Sequence, residues 1–182
     1  MLTFHRLVCA LTLFLCTPAF GEEQRSFPTG GPGAVVTYLD AGGPGHPTGC
    51  VVTVSAGLPD VALSVSVYSN NMATLLIGSQ AAFPVPKPGS DAGISVGPSY
   101  LFGKVEGYTA GRTIRTVNIK LINGPYGSPV DGAYLVVNRI VHGTNHVSAV
   151  ADDAPIASGT VPQQPGVADA LSACQQYMIS RL

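Results

Sequence analysis

The chain has 182 residues, a formal net charge of −1, and a charged fraction of only 10%. Because no basic stripe accompanies this near-neutral balance, we do not expect nucleic acid as a partner. The 22 glycines and 15 prolines are typical of a turn-rich exported β protein rather than of a charged helical one.

The first 21 residues have the pattern of a cleaved export signal. A short basic start precedes an apolar run over residues 7–16, which is too short to span a bilayer comfortably. Ala19 and Gly21 place small residues at the −3 and −1 positions of a cleavage site before Glu22. We therefore expect a periplasmic or secreted protein with no stable membrane span after cleavage.

Two glycine-rich runs indicate turns near the start of the remaining chain. The sequence GGPG occurs at residues 30–33 and at 42–45, and Val-Val-Thr comes after each copy, at residues 35–37 and 51–53. Phosphate-binding loops present backbone N–H groups, which the prolines in these runs lack. The runs therefore predict turns that lead into strands. We expect residues 22–32 to form a flexible leader and residues 33–182 to form a single β-rich domain.

A β-hairpin is predicted over residues 61–77. Apolar residues alternate with smaller or polar ones along 61–67, the period of a strand with one buried face and one wet face. Turn-forming residues at 69–71 separate this strand from a second apolar run at 73–77. The prolines of segment 83–90 cannot enter a central strand, so that segment is predicted to be an extended connection.

Three further strands are predicted over residues 100–106, 113–122 and 134–142. Between the last two, residues 123–132 are packed with turn formers and predict a long exposed loop. Exposed loops on a rigid scaffold often carry recognition residues. The candidate binding residues of this loop are Asn123, Tyr126 near its tip, and Asp131.

The chain changes period at its end, where residues 166–181 predict an amphipathic helix. Cys174 lies on the apolar stripe of this helix and could reach a strand that starts at Cys50. In an oxidising compartment these two cysteines could form a disulfide, which the chain-entropy estimate values at roughly 4 kcal/mol. The alternative is a pair of buried free thiols, and we favour the disulfide.

Together these elements predict a mainly β protein. The expected architecture is a single β-sandwich or a rolled antiparallel sheet, closed by the C-terminal amphipathic helix.

The stretch VHGTNH raises the question of a metal site. His142 and His146 would lie roughly 13 Å apart on a straight strand, too far to share one ion. A tight turn between them could bring both imidazoles together, and Asp152 or Asp153 could then complete a zinc or copper set. The simpler interpretation is a strand end whose polar side chains lie in water. We therefore expect that the protein has no cofactor.

The sequence contains no recognisable catalytic motif. A nucleophile elbow, a phosphate-binding loop with its lysine and a dinucleotide fingerprint are all missing. Glu106 is the only glutamate after the leader, so the sequence indicates no clear pair of carboxylates for glycoside hydrolysis. We therefore expect a non-catalytic protein, and the alternative is an enzyme whose site is assembled from distant loops.

The last two-thirds of the chain carry a faint family pattern. Ser158, Gly159 and Thr160 are followed by an Ala-Leu helix at residues 168–171. This order resembles the invasion-associated locus B family of small bacterial periplasmic proteins. The chain departs from that family in having no tryptophan and in the wide spacing of its cysteines. The resemblance implies a β-sandwich-like, non-enzymatic envelope protein linked to host contact or virulence, and it transfers no catalytic residues.

The leading functional prediction is an exported, non-catalytic binding protein of the bacterial envelope. Its partner would be a protein or another envelope component, bound through exposed loops or by main-chain pairing at a sheet edge. One alternative is a small periplasmic metal-binding protein that uses His142 and His146. Another is an inhibitor of a cell-wall hydrolase that presents loop 123–132 to the enzyme's cleft.

Overall fold

A computed structural model describes residues 23–31, 33–40, 48–54, 61–111 and 114–181. Within these residues, ten strands and two helices are formed. The strands, in chain order, are β1 (Glu23–Pro28), β2 (Ala34–Asp40), β3 (Gly49–Val54), β4 (Ala62–Tyr68), β5 (Ala73–Ser79), β6 (Asp91–Val96), β7 (Ser99–Ala110), β8 (Arg115–Leu121), β9 (Asn145–Ala151) and β10 (Ala154–Val161). The helices are α1 (Pro129–His142) and α2 (Val167–Ile179).

All the described strands belong to one open antiparallel sheet. Their order across the sheet is β1-β2-β3-β4-β5-β8-β7-β6-β9-β10. β10 approaches β5 although four strands lie between them in this order, so the sheet curls around its core. The predicted fold class, mainly β with a C-terminal helix, is confirmed.

The two helices cover the inner face of the sheet. α2 packs on β1, β2 and β3, while α1 packs on β4, β5 and β8. The inner positions of the strands and the apolar stripes of both helices form the buried core. The outer face of the sheet carries the alternate positions of the strands, and most of these are only partly buried or exposed.

The predicted hairpin over residues 61–77 is confirmed as β4 and β5. Leu63 pairs with Ile77 and Val65 with Leu75, and all four side chains are buried. Asn71 has a φ of 62° in the connecting turn, a left-handed conformation that asparagine tolerates well. The proline-rich segment 83–90 lies outside the strands, as its sequence predicts.

The strand predicted at residues 134–142 is wrong, because this segment belongs to α1. Its β-branched composition suggested a strand, but Ala133, Val136, Val137 and Ile140 are buried at helical spacing. Ser128 and Asp131 also form a capping box at the start of the helix. The exposed loop expected over 123–132 is therefore shorter, since the helix begins at Pro129.

The flexible leader expected over residues 22–32 is corrected by β1. Residues 23–28 pair with β2 in regular antiparallel register, from Glu23 opposite Asp40 to Pro28 opposite Val35. Phe27 packs against the core and against Tyr177 of α2. The strand forms because it gains these contacts with distant parts of the chain. The predicted signal over residues 1–21 and the second glycine run over 42–45 lie outside the described residues.

The predicted disulfide and C-terminal helix are both confirmed. Cys50 of β3 and Cys174 of α2 are bonded, with an S–S distance of 2.05 Å, and both residues are fully buried. The bond fastens α2 to the inner face of the sheet. In the part of the chain that the structure describes, no helix has the length and apolar character needed to cross a membrane.

Candidate binding site

The structure does not bring the three predicted metal ligands together. His142 ends α1, whereas His146 lies on β9 with its Nε2 atom 3.0 Å from the Ser158 hydroxyl. Asp152 follows the far end of β9, about 20 Å from His146 at the usual strand rise. Among the described residues, no three His, Cys, Asp or Glu side chains are grouped to hold a metal ion.

The carboxylate of Asp131, a candidate binding group, is engaged at the start of α1. It accepts hydrogen bonds from the Ser128 backbone N–H at 2.8 Å and from the Ser128 hydroxyl at 2.6 Å. These bonds hold the pKa of Asp131 below its ordinary value. The geometry assigns Asp131 to helix capping.

The tip of the predicted binding loop is folded back onto the sheet. Gly124 and Gly127 exchange two backbone hydrogen bonds of 3.1 Å, which close a tight turn with Tyr126 inside it. The Tyr126 hydroxyl accepts a hydrogen bond of 3.3 Å from the Tyr100 backbone N–H. Asn123 is exposed just before this turn. Tyr126 therefore lies against β7, where it is 41% exposed, and not at the tip of a protruding loop.

Four large apolar side chains are exposed together on the outer face beside this turn. The rings of Tyr100 and Phe102 lie edge to face with their centroids 5.0 Å apart. Each of the four is between 40 and 44% exposed, and we refer to them as the aromatic cluster. Its members are Tyr100, Phe102, Ile122 and Tyr126.

Gly93 determines how the aromatic cluster lies on the sheet. It pairs with Phe102 across β6 and β7, next to Tyr100. A Cβ atom at Gly93 would overlap the Tyr100 hydroxyl and ring. Because Gly93 has no side chain, the Tyr100 ring can lie across β6. In this position Tyr100 is 43% exposed.

A cleft of about 400 Å³ opens beside the aromatic cluster. Its volume is within the range of small-ligand sites. The lining contains carboxylates and no basic side chain. Its principal residues are Tyr100, Phe102, Ile122, Asp91, Asp152 and Asp153.

The three carboxylates of the cleft differ in their partners. Asp91 forms a salt bridge of 2.6 Å with Lys104. Asp152 and Asp153 are exposed, and neither forms a salt bridge within the described part of the chain. Two negative charges at the margin of the cleft are therefore not neutralised by a salt bridge.

The carboxylates of Asp152 and Asp153 are positioned beside the cleft by the β9–β10 turn. Ala151 pairs with Ala154, which leaves a two-residue connection. Asp152 and Asp153 have φ values of 49° and 61°, and two left-handed residues are the requirement of a type I′ hairpin turn. Asn-Gly satisfies that turn better than Asp-Asp does. The Asp152 backbone N–H donates to the Asp91 carbonyl at 3.2 Å, which fixes the turn beside β6.

A second group of aromatic and charged side chains joins the two ends of the described chain. Glu23 of β1 accepts hydrogen bonds from the Tyr177 hydroxyl and the Arg181 guanidinium, and these bonds lower the pKa of Glu23. The Arg25 guanidinium lies 4.5 Å from the Tyr177 ring centroid, and the Tyr38 ring meets the same ring edge-on at 5.0 Å. We call these five residues the terminal cluster.

The sheet edges give less support to the predicted main-chain pairing. β1, at one edge, ends in Pro28. β10, at the other edge, has an irregular register between Pro155 and Ala157. Proline and bulges are devices that limit pairing at an exposed edge.

Sequence reasoning missed Tyr100 and Phe102 as site residues, and it considered Asp153 only as a possible metal ligand. The alternation along β7 contained a signal for the first two, because Tyr100 and Phe102 are exposed and alternate with the buried residues Ser99, Leu101 and Gly103. Large aromatic side chains on the outer face of a strand are a signal of binding. The position of Asp153 depends on β9 lying next to β6, which the sequence does not reveal.

The chain has no significant match among protein-family models, curated proteins or solved structures. The resemblance to the invasion-associated locus B family therefore stays a prediction.

Proposed function

We propose that this protein is an exported, non-catalytic binding protein of the bacterial envelope, and that it binds a partner protein at the cleft beside the aromatic cluster. The observation that carries the proposal is the exposure of four large apolar side chains at one place, next to a preformed cleft. Contiguous exposed apolar surface of this kind is typical of interaction sites. Tyrosine and phenylalanine are also enriched at the centres of protein interfaces.

The proposed location rests on the sequence and on the disulfide. Disulfides such as Cys50–Cys174 persist in oxidising compartments, including the bacterial periplasm. The signal-like start of the chain supports export to such a compartment. A role in host contact or virulence, which the family resemblance implies, would follow if the partner lies on a host surface.

The alternatives have less structural support. A metal-binding protein would need His142 and His146 with a third ligand, and Asp152 lies at the far end of β9. A hydrolase inhibitor would need a protruding loop, and the Tyr126 turn is hydrogen-bonded to β7.

Site-specific photo-cross-linking in the producing cell tests the proposed function. A photoreactive phenylalanine analogue replaces Phe102 in one variant and Ile179, an exposed residue of α2, in a control variant. We expect a discrete protein adduct from position 102 that is missing from position 179. No adduct at 102, or the same adducts at both positions, would contradict binding at the cleft.

A further inference from the structure

We propose that the cleft recognises an extended segment of the partner protein that carries arginine, an inference that rests on the proposed binding function. The cleft combines two exposed aromatic rings with carboxylates that have no basic side chain among their neighbours in the lining. Its chemistry is therefore complementary to a cation with a flat, delocalised charge.

The charge of the cleft argues for a cationic ligand. Asp91 is neutralised by Lys104, but Asp152 and Asp153 have no salt bridge in the described chain. A guanidinium can interact with both kinds of group in the cleft, because it donates paired hydrogen bonds to carboxylates and stacks on aromatic rings. Lysine could form the ionic contact, but its ammonium group cannot stack on the rings as a planar guanidinium does.

The terminal cluster shows the same contact formed inside this protein. There, the Arg25 guanidinium lies 4.5 Å from the Tyr177 ring centroid, and the Glu23 carboxylate binds both Tyr177 and Arg181. Ring, carboxylate and guanidinium are all present in that cluster. The cleft supplies the ring and the carboxylate, and the missing member is the guanidinium.

The size and apolar content of the cleft favour a peptide over a small cation. A metal ion would contact the carboxylates alone and would leave Phe102 and Ile122 unused. A cleft of about 400 Å³ can hold an arginine side chain together with adjoining main chain. A neutral sugar could stack on the rings but would leave the charges of Asp152 and Asp153 uncompensated.

The test compares three labelled heptapeptides for binding to the full chain with its disulfide intact. The first contains two arginines among glycine and serine, the second replaces both arginines with the neutral isostere citrulline, and the third replaces them with glutamate. We expect the arginine peptide to bind about tenfold more tightly than the citrulline peptide, and the glutamate peptide to bind least. The preference should weaken in high salt.

A matched pair of variants ties this preference to the cleft. The change Asp152→Asn with Asp153→Gly removes both charges and installs the preferred residues of a type I′ turn, so folding is preserved. It should abolish the preference for arginine over citrulline. Asp169→Asn, an exposed acid in the first turn of α2, should leave the preference unchanged. A melting curve of each variant verifies that it is folded.

The outcomes separate this inference from the proposed function. Equal binding of the arginine and citrulline peptides, or a preference that survives in the double variant, would overturn the inference. So would binding of a neutral oligosaccharide in place of all three peptides. In each of these cases a cross-link at position 102 would still support the cleft as a binding surface, whereas its loss would contradict the proposed function itself.

Discussion

The terminal cluster and the cleft contain the same kinds of side chain and use them in opposite ways. In the terminal cluster, Tyr177 contacts two rings and two guanidinium groups, and Glu23 accepts two hydrogen bonds. In the cleft, Tyr100 and Phe102 are more than 40% exposed, and Asp152 and Asp153 have no salt bridge among the described residues.

This difference separates groups that hold the fold together from groups that are available to a partner. Aromatic and charged side chains satisfied within the chain contribute to the free energy of unfolding. The same side chains left exposed contribute little to stability, and a contiguous exposed set of them is a feature of binding surfaces. We therefore predict that changes in the terminal cluster affect stability and that changes in the cleft affect binding.

Removal of the disulfide should have the largest effect on stability. The variant Cys50→Ala with Cys174→Ala frees a loop with a sequence separation of 124 residues. We expect the free energy of unfolding to fall by about 4 kcal/mol, measured by urea denaturation. Affinity at the cleft should be retained in the folded fraction, because α2 and the cleft lie on opposite faces of the sheet. A loss of affinity without unfolding would show that the two regions are coupled.

An aromatic truncation in each region gives the most direct contrast. Tyr177→Ala should lower the free energy of unfolding by about 2 kcal/mol, because Tyr177 packs against Phe27 and Tyr38. Phe102→Ala should cost less than about 1 kcal/mol, because the ring is 44% exposed. Affinity at the cleft should fall more in Phe102→Ala than in Tyr177→Ala. Similar losses of stability in both variants, measured by the same denaturation assay, would remove the distinction between the regions.

The β9–β10 turn should gain stability when its acids are replaced. Asp152→Asn with Asp153→Gly relieves two left-handed aspartates and their mutual repulsion. We expect the free energy of unfolding to rise by about 1 kcal/mol while the affinity for a cationic peptide falls. A decrease in thermal stability would contradict the assignment of these acids to binding at a cost in stability.

The pH dependence of stability should contain a contribution from Glu23. Because its hydrogen bonds to Tyr177 and Arg181 lower its pKa in the folded protein, ionised Glu23 stabilises the fold above its unfolded pKa, which is about 4.3 for glutamate. This stability is lost as the pH falls through the lower, folded pKa. Glu23→Gln should therefore be less stable than the wild type at neutral pH, with a difference that shrinks on acidification. A difference that is constant across pH in thermal denaturation would rule out this contribution.

Local patterns in the sequence predicted the elements whose stability is mostly local. Helix α2 was predicted because its apolar residues and Cys174 share one stripe, and the β4–β5 hairpin because its alternation is regular. Helix α1 was missed because its β-branched residues outweighed the helical spacing of Val136 and Ile140. The capping signal at Ser128 and Asp131 was present in the sequence and favoured the helix.

The remaining features depend on contacts between distant residues. β1 is bonded to α2 through Glu23 and Tyr177, which are 154 positions apart, so its sequence alone resembled a loose leader. The cleft requires β7, β6 and β9 to be neighbours in that order, which differs from their order in the chain. The sequence therefore could not predict that Gly93 makes room for the Tyr100 ring, or that Asp153 lies in the same cleft as aromatic rings.

The most direct test of the cleft as the binding surface is an amide chemical-shift map of the full chain, recorded during titration with the arginine heptapeptide. We predict shifts in β6, in the first half of β7, in the Tyr126 turn and in the β9–β10 turn, with β1 and α2 unchanged. Shifts confined to the terminal cluster, or no shifts at saturating peptide, would contradict binding at the cleft.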